Sequence, residues 1–510
     1  MWIVVTVFAL VAAALATLRQ MHMFQLGAYV ARTQWGWLRL HRSAWMGQIV
    51  ALVLAGLAVV WPVPAGVVLL VWLAAMGVAN RPRRHAKKPL HFTARVVRML
   101  VTTGVLVALL VVATIWAPTP ARIPAGAAAY VLAPVWVIVA NWINAPVEAA
   151  VRRHYLADAA RLLAAHPRLV RIGITGSYGK TSVKYYLATL LRGHFDTLMT
   201  PESYNTPMGI TKTIRADLRA THEVFVCEMG AERVGEIKQD CDLVHPGIGV
   251  ITAIGEQHLA TFGSQANILR TKLELADAVA GKGPVYLNGD DPLLRANQPD
   301  QERHLYGLRT DNDTYAFDIA VDSGGTRFAI SHRGTVIAGL RSPLLGAHTI
   351  QNLTGAIAVA LDLGVTEPEL RAQLKKLTPA PHRLALSRQG SVTIIDDAYN
   401  SNPAGAKAAL DVLALFEATK ILITPGMVEL GPRQDTLNEA FGAQAIHCDH
   451  VYLVGARQTA PIARGLLGAG YDPARLTIVE DVQDALKAAH ALPCGGPKVI
   501  LLENDLPDNY

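Results

Sequence analysis

This chain of 510 residues is 51% hydrophobic, and its formal net charge of +7 comes from the first third, where twelve Lys and Arg residues precede the first acidic residue, Glu148. These basic residues lie between apolar segments rather than on one soluble face, which argues against a nucleic-acid partner. Four cysteines without a C-x-x-C pair argue against a zinc ribbon and a disulfide framework, and they fit reduced thiols in a cytoplasmic protein.

Residues 1–150 predict a helical membrane unit with about five spans. The apolar runs are 1–18, two helices within 46–80 separated by a Pro turn at 61–64, then 99–116 and 123–147, the last with a kink expected at Pro134. Basic residues concentrate between the first and second spans and between the third and fourth. The positive-inside rule makes these loops cytoplasmic, so the N-terminus is expected outside and everything after residue 147 inside.

The basic segment 81–98 has a simple explanation. We interpret it as a topology signal that contacts lipid headgroups, rather than as a site for a specific partner. Membrane lipids are therefore expected around the first part of the chain.

A phosphate-binding loop is predicted after residues 168–175, which are rich in β-branched and aliphatic residues, as a buried parallel strand is. A glycine-containing loop and a helical pattern follow. Glycines let backbone N–H groups converge on phosphate oxygens, and the helix N-terminus adds its dipole. Since Ile174 stands where the strict motif has glycine, a glycine turn with an exposed lysine is the alternative. The predicted nucleotide-binding residues are Gly176, Ser177, Gly179, Lys180, Thr181 and Ser182.

Within this loop, Lys180 would reach the β- and γ-phosphates, and the Thr181 hydroxyl would bind Mg²⁺. A second predicted strand, 223–228, ends in Glu228. Parallel sheets place ligand and metal groups at the C-terminal ends of neighbouring strands, so Glu228 is predicted to be a magnesium ligand. Taken alone, Glu228 would equally fit a solvated strand end.

The soluble part predicts an α/β fold with a central domain at about 168–382 and a Rossmann-like C-terminal domain at about 384–510. In the central domain, further strands are expected near 247–253 and 284–288, and a Gly/Asp-rich stretch at 311–345 predicts short antiparallel strands. The active site is expected between the two domains, where closure would exclude water. Strands of the C-terminal domain are predicted at 392–396, 421–424, 450–454, 476–479 and 499–502.

Several blocks, in this order along the chain, resemble the Mur ligase family. They are 175–182, 204–209, 228–231, 257–259, 262–263 with Lys272, 346–352, Arg383, 396–403 and 426–431. Two regions depart from the family. Residues 1–150 stand where the family has a soluble domain that binds UDP, and residues 502–507 differ from the Lys-Gly-Ser segment expected near the C-terminus.

The resemblance implies an ATP-dependent carboxylate–amine ligase that uses Mg²⁺. The acceptor carboxylate would attack the γ-phosphate of ATP to give an acyl phosphate, and an amine would then displace phosphate to form an amide. The implied acceptor is a peptidoglycan precursor, either UDP-linked or lipid-linked and presented at the membrane. The implied amine is D-alanyl-D-alanine or a related amino acid or dipeptide.

The resemblance also implies a role for each residue that matches a family block. Lys180 would bind phosphate, Thr181 and Glu228 would hold one Mg²⁺, and His258 would hold a second. Lys272, when carbamylated, would be a further metal ligand. A helix-capping His258 and a solvated Lys272 are the alternatives.

For the nucleotide and the substrates, the resemblance implies that Asn352 contacts adenine, Arg383 the γ-phosphate, and Asp396 the ribose or a metal-bound water. The residues implied to contact the acceptor or the amino substrate are Asn205, Thr206, Tyr399, Asn400 and Asn402. For the last three of these residues, the alternative is that they only form a turn, since Asn and Pro are ordinary loop residues.

Two other functions fit the same residues. One is a ligase for another amide polymer, such as poly-γ-glutamate, or one that modifies a lipid-linked precursor. The other is a nucleotide-binding scaffold of a cell-wall complex without catalysis, although the intact set of phosphate and metal residues favours an enzyme.

Overall fold

The computed structural model describes residues 2–41, 43–80, 89–116, 118, 121–255, 259–399, 401–428 and 430–505. These residues form two compact units, the first ending at Arg153 and the second comprising His154–Asp505. The division falls inside one helix, Ala133–Ala164, which is labelled α7.

The first unit is helical. Within its described residues, α1, α4, α5 and α7 are long and apolar enough to cross a membrane, and α3 contains a shorter apolar segment, Trp45–Val60. The helices are α1 Trp2–Leu26, α2 Ala31–Leu40, α3 Ser43–Val60, α4 Pro62–Ala79, α5 Ala94–Ile115, α6 Arg122–Val131 and α7 Ala133–Ala164.

Two of the predicted spans differ from the observed helices. Helix α1 continues past residue 18 and includes Arg19, which donates a hydrogen bond to the Asn80 side chain at 3.2 Å. The predicted fifth span is two helices, α6 and α7, which are separated at Leu132. Pro134 lies in the first turn of α7, where a backbone N–H has no partner within the helix, so proline costs no hydrogen bond there. The predicted Pro turn is confirmed, since α4 begins at Pro62. The number of spans and their orientation stay predictions.

The second unit contains a nine-stranded sheet in the order β2-β3-β1-β4-β5-β6-β7-β8-β9. Strands β2 to β7 pair in parallel, and β7, β8 and β9 form the predicted antiparallel part. The strands are β1 Val170–Thr175, β2 Thr197–Met199, β3 Val224–Glu228, β4 Ile248–Ile251, β5 Val285–Asn288, β6 Arg303–Gly307, β7 Thr314–Asp322, β8 Gly325–His332 and β9 Thr335–Ser342.

Helices cover both faces of this sheet because alternate strand residues point to opposite sides. In β3, Val224 and Val226 pack with α8, α14 and α15, whereas Phe225 and Cys227 pack with α9, α10 and α12. The helices are α8 Lys180–Leu191, α9 Pro207–Asp217, α10 Glu236–Val244, α11 Leu259–Phe262, α12 Gln265–Val279, α13 Pro292–Ala296, α14 Ala347–Asp362 and α15 Glu367–Leu374.

A six-stranded sheet follows, in the order β10-β11-β15-β12-β13-β14, and all its pairs except β10–β11 are parallel. Helices α16, α17 and α18 cover one face and α19 the other. Its elements are β10 Ala385–Gln389, β11 Val392–Asp397, α16 Pro403–Ala414, β12 Thr419–Thr424, α17 Gln434–Gln444, β13 His450–Val454, α18 Ala456–Gly468, β14 Leu476–Val479, α19 Val482–Ala491 and β15 Lys498–Glu503.

The predicted α/β class and all the strands predicted in the two sheets are confirmed. Strands β2, β6 and β10 were not predicted. β2 has only three residues, and β10 is a half-exposed, largely polar edge strand, so neither has a clear hydrophobic pattern. The C-terminal ends of β1, β3 and β4 lie at the same edge of the first sheet, which brings their following loops together.

Candidate active site

The loop between β1 and α8 requires glycine at two positions. Gly176 and Gly179 have φ values of +147° and +82°. A Cβ on Gly176 would lie 2.1 Å from the Thr252 hydroxyl, and one on Gly179 would lie 2.6 Å from the Asn352 side-chain oxygen. The loop therefore has the tight backbone that lets N–H groups approach phosphate. The structure places Asn352 against this loop, and its contact with adenine stays a prediction.

The two predicted serines tie the loop to its surroundings. The Ser177 amide donates to the Ala253 carbonyl at 2.7 Å, and its hydroxyl donates to the Gly255 carbonyl at 3.2 Å. Ser182, in the first turn of α8, is hydrogen-bonded to the Tyr186 hydroxyl. Both serines thus hold the shape of the phosphate loop.

Lys180 folds back over the loop. Its ammonium donates to the carbonyls of Gly176 at 2.8 Å and Ser177 at 3.1 Å. Removal from solvent lowers the pKa of Lys180, Glu228 opposes this effect, and Arg383 adds to it. Polyphosphate oxygens arriving at the loop would replace the two carbonyls as partners of this ammonium.

Glu228 lies at the end of β3 with three polar groups around its carboxylate. Oε1 accepts hydrogen bonds from the Thr181 hydroxyl at 3.1 Å and the Asn205 amide at 3.0 Å, and Oε2 lies 3.0 Å from the ammonium of Lys184. The Glu228 and Lys184 side chains are 1% and 0% exposed. The structure therefore brings the two predicted magnesium ligands, Thr181 and Glu228, together, and it also places Asn205 beside them. Lys184 was missed, although it follows Lys180 by one helical turn, which is a usable signal.

The residues around Glu228 fit a magnesium ion. Mg²⁺ prefers hard oxygen ligands, and Oε1 of Glu228 lies beside the Thr181 hydroxyl, while Lys184 occupies the other carboxylate oxygen. Across the described residues, no three His, Cys, Asp or Glu side chains converge, and Mg²⁺ does not need such a set, because one or two carboxylates and the substrate phosphates hold it. His258, predicted to hold a second ion, lies outside the described residues.

Lys272 is buried in α12, with 2% of its surface exposed. Burial lowers its pKa to about 7, Lys180 acts in the same direction, and Asp240 opposes them. A solvated Lys272 is therefore wrong. An amine with this pKa is substantially deprotonated near neutrality, which is the form that reacts with carbon dioxide, so the structure supports the chemistry that the carbamylation prediction needs.

Arg383 lies in the segment that joins the two sheets. Its guanidinium carbon is 4.7 Å from the centre of the Tyr399 ring, and its charge acts on both Lys180 and Asp397. Nearby, Oδ2 of Asp396 lies 2.7 Å from Nδ1 of His382. Arg383 is therefore close to the Tyr399 ring and within electrostatic range of the lysine over the phosphate loop.

Two predicted substrate residues are helix caps. Thr206 accepts from the Gly209 amide at 3.3 Å and begins α9, and Asn402 accepts from the Gly405 amide at 3.0 Å and begins α16. The alternative explanation of Asn402 as a local structure former is thus confirmed, and the substrate contacts of both residues stay predictions. Asn400 lies outside the described residues.

Comparison with known proteins agrees with this geometry. The model of the Mur ligase middle domain matches residues 174–360, and that of the Mur ligase glutamate ligase domain matches residues 382–502. The UDP-N-acetylmuramoyl-tripeptide–D-alanyl-D-alanine ligase of Bacillus subtilis is 32% identical over 326 residues, which are 62% of this chain and 69% of that protein. The chain belongs to the Mur ligase family.

Other relatives carry the same name. The Mycobacterium tuberculosis protein is 34% identical over 343 residues, which cover 65% of this chain and 66% of the relative. The match thus spans about two thirds of the curated relatives' length. A crystal structure of MurF from Acinetobacter baumannii has a TM-score of 0.62 at 25% identity, covering 70% of this chain and 78% of that one.

Membership of the Mur ligase family confirms the predicted family and reaction class. Mur ligases are ATP-dependent, amide-forming enzymes that use Mg²⁺. The phosphate loop, the lysine above it and the buried carboxylate beside Thr181 are the parts that such a reaction needs, because it transfers a phosphoryl group and requires charge neutralisation rather than a protein nucleophile.

Proposed function

We propose that this Mur ligase joins the carboxylate of a peptidoglycan-precursor peptide to the amino group of D-alanyl-D-alanine, using ATP. The observation that carries the proposal is the buried Glu228 carboxylate, held by Thr181 and Asn205 beside the lysine-covered phosphate loop. The substrate assignment follows the relatives at 32–34% identity, which are UDP-N-acetylmuramoyl-tripeptide–D-alanyl-D-alanine ligases.

In this proposal each residue has a defined task. Lys180 and the loop amides hold the β- and γ-phosphates, and Arg383 meets the γ-phosphate when the domains close. Thr181 and Glu228 would hold Mg²⁺, with Lys272 in its carbamylated form and His258 as further ligands. Mg²⁺ when bound neutralises charge between two anions, the acceptor carboxylate and ATP. Asn352 and Asp396 contact the nucleoside.

The remaining predicted residues would contact the two substrates. Asn205 and Thr206 lie at the start of α9, next to the Glu228 carboxylate, where the acceptor carboxylate has to arrive. Tyr399, Asn400 and Asn402 follow β11 and would contact the incoming amine. Exclusion of water from this cleft would protect the acyl phosphate from hydrolysis.

The amino substrate is tested with full-length protein in detergent, ATP, Mg²⁺ and, in separate reactions, a UDP-linked and a lipid-linked N-acetylmuramoyl-tripeptide. Phosphate release is measured with D-alanyl-D-alanine, D-alanine, L-alanyl-L-alanine and L-glutamate. We expect D-alanyl-D-alanine to have the highest kcat/KM, by about tenfold or more, since a site discriminates through several side-chain contacts. A preference for glutamate would favour the poly-γ-glutamate type, and no phosphate release with any amine would favour the non-catalytic scaffold.

The helical unit is proposed to anchor the ligase in the membrane, with about five spans, the N-terminus outside and the ligase domains in the cytoplasm. Four described helices of sufficient length and the position of the basic residues support this. A reporter fused after residue 510 should be cytoplasmic and one fused before residue 1 should be extracytoplasmic. Both reporters on one side would contradict the five-span topology.

The acceptor is proposed to be lipid-linked and presented at the membrane. Membrane anchoring raises the effective concentration of a membrane substrate without new contacts, and the basic segment 81–98 suits anionic headgroups. Turnover of the detergent-solubilised protein is compared on UDP-linked and lipid-linked acceptors that carry the same peptide. Equal or better use of the UDP-linked acceptor would contradict this part of the proposal.

A further inference from the structure

Two carboxyl groups meet at the C-terminal ends of adjacent strands in the second sheet. Asp397 ends β11 and Glu503 ends β15, and the two residues are direct partners in the parallel register. The Ser401 hydroxyl donates to Oε1 of Glu503 at 2.5 Å, and the Leu384 amide donates to Oδ1 of Asp397 at 3.1 Å. Glu503 belongs to the segment 502–507, where this chain departs from the family pattern.

The two carboxyl groups differ in access. Glu503 is 1% exposed, whereas Asp397 is half-buried and lies in the segment that leads to Tyr399. Asp397 is therefore the carboxyl group that an amino substrate beside Tyr399 would reach, and Glu503 lies behind it. The Arg383 guanidinium lowers the pKa of both Asp397 and Lys180, so it is within electrostatic range of the carboxyl group and of the lysine over the phosphate loop.

The surroundings of the pair make it hold a proton. Burial raises the pKa of Glu503 well above its ordinary value and also raises that of Asp397. Asp397 raises the pKa of Glu503 further, whereas the contact with Glu503 lowers that of Asp397, so the proton of the pair lies on Glu503. The charged groups that face Asp397 are Arg383 and Glu503, which lower its pKa, and Asp396, which raises it. Two carboxyl groups this close do not both ionise readily, so they titrate as a unit.

We propose that Asp397 is a catalytic residue that receives the ammonium group of the incoming amino substrate and removes its proton, with Glu503 as a positioning residue behind it. This inference rests on the proposed function, because it assigns the proton acceptor for the second half of that reaction.

The step balances as follows. One ammonium proton passes to Asp397, which leaves a lone pair on nitrogen. The nitrogen attacks the carbonyl carbon of the acyl phosphate, the C–N bond forms, and the C–O bond to phosphate breaks with its electron pair going to the departing phosphate. The second nitrogen proton passes to the departing phosphate as the tetrahedral centre collapses, and the proton on Asp397 returns to solvent when the product departs. An acceptor with a raised pKa matches an ammonium group better than an ordinary carboxylate does.

The test separates the two halves of the reaction with two nucleophiles. D-Alanyl-D-alanine reaches the enzyme mostly as an ammonium ion, whereas hydroxylamine is already neutral at pH 7 and traps the acyl phosphate as a hydroxamate without a base. Full-length protein in detergent receives ATP, Mg²⁺, one nucleophile and, in separate reactions, the UDP-linked and the lipid-linked acceptor peptide. The ratio of amide to hydroxamate formed per unit time is measured for wild type, Asp397→Asn and Glu503→Gln.

We expect Asp397→Asn to lower this ratio by about 100-fold or more, the usual contribution of a general base. Asp484→Asn is the matched control, because Asp484 is a surface carboxylate of the same sheet domain that pairs with Lys487, and it should leave the ratio unchanged. An unchanged ratio in Asp397→Asn, or an equal loss of both products, would overturn the inference alone. Absence of hydroxamate in the wild type would overturn the proposed function and the inference with it.

Glu503→Gln separates positioning from a merely structural role. The Glu503 carboxyl lowers the pKa of Asp397, so its replacement by an amide raises that pKa. The acidic limb of the pH profile of kcat/KM for D-alanyl-D-alanine therefore moves to higher pH, and the plateau falls less than in Asp397→Asn. The hydroxamate reaction should show no such displacement. An unmoved limb in a folded Glu503→Gln protein would remove Glu503 from the proposal.

Discussion

Both sheets of the second unit carry carboxyl groups at the C-terminal ends of parallel strands, but the side chains next to these groups differ in charge. Glu228 ends β3 of the nine-stranded sheet, buried against the Lys184 ammonium and two further donors. Asp397 and Glu503 end β11 and β15 of the six-stranded sheet, and each has the other carboxyl as its neighbour.

The difference shows how one architecture supports two kinds of chemistry. A buried carboxylate that is paired with a cation keeps its negative charge, which suits a metal ligand. A buried carboxyl beside another carboxyl takes up a proton more easily, which suits proton transfer. In both cases the parallel sheet supplies the position, and the neighbouring side chains decide whether the group holds charge or a proton.

The largest effect is expected for Lys180→Ala, which removes the cation over the phosphate loop. ATP turnover should fall by about 1,000-fold or more, because preorganised charge on the transferred phosphoryl group is lost. Phosphate release is the measurement. Lys407→Ala, which removes an exposed cation paired with Asp411 on α16, should leave the rate unchanged. Turnover at the wild-type rate in Lys180→Ala would contradict the nucleotide site.

Lys272→Ala tests whether carbamylated Lys272 is a second negatively charged metal ligand in addition to Glu228. We expect activity to fall by about 100-fold and a small carboxylate such as acetate to restore part of it, since losing a group that orients a metal ligand already costs about 10- to 100-fold. The exposed Lys282 just after α12 is the matched control, as Lys282→Ala.

The pKa of Lys272 also predicts a dependence on bicarbonate. Below its pKa of about 7 the amine is increasingly protonated and reacts less with carbon dioxide, so added bicarbonate should activate the enzyme more below pH 7 than above it. Full activity of Lys272→Ala without any added carboxylate would show that carbamylation plays no part.

Lys184→Met makes Glu228 resemble the carboxyl groups of the second sheet, because it leaves the carboxylate buried without its cation. Breaking a buried ion pair on one side destabilises a protein by about 3 kcal/mol or more. The melting temperature of the detergent-solubilised protein should therefore fall by about 6–12 °C. Adding Glu228→Gln should recover part of the loss, and a melting temperature equal to that of the wild type would show that the pair is not important for stability.

A matched control for Lys184→Met is Lys238→Met. Lys238 forms an ion pair with Asp242 along α10, and both side chains are more than half exposed, at 67% and 63%. Because exposed pairs contribute about 0–1 kcal/mol, this variant should shift the melting temperature by only a few degrees at most.

The smallest effect is expected for Asp240→Asn. Asp240 is fully buried in α10, and within the described residues neither of its carboxylate oxygens has a hydrogen-bond partner. Burial raises its pKa from 3.8 to about 9, so the unfolded state loses this proton first, and the group increasingly destabilises the fold as pH rises between these values. The variant should be more stable by about 1–2 kcal/mol, more so at alkaline than at acidic pH.

Thermal unfolding at several pH values measures this gain. Asp242→Asn, which changes an exposed carboxylate of the same helix, should alter stability by only a few tenths of a kcal/mol. A loss of stability in Asp240→Asn at alkaline pH would mean that the ionised carboxylate has a stabilising partner.

The sequence by itself determined the class of the fold and the position of the phosphate loop. Residues 168–175, the glycines at 176 and 179 and the helix after them are local features, because strand periodicity, left-handed glycines and helix starts are encoded within a few residues of one another. Glu228 was also predicted, since it follows a recognisable buried strand. The helix ends of the first unit were harder to predict from the sequence, because α1 continues past Arg19, whose side chain contacts the distant Asn80.

Only the tertiary structure decided which charges meet. Lys184 is one of several polar residues in its helix until the packing of α8 on β3 brings its ammonium to Glu228. Likewise, β15 lies between β11 and β12 although it is the last strand in the chain, and this order alone brings Glu503 beside Asp397. The reason is physical: hydrophobic periodicity specifies that a strand is buried, but the neighbour of each strand follows from packing across the whole sheet.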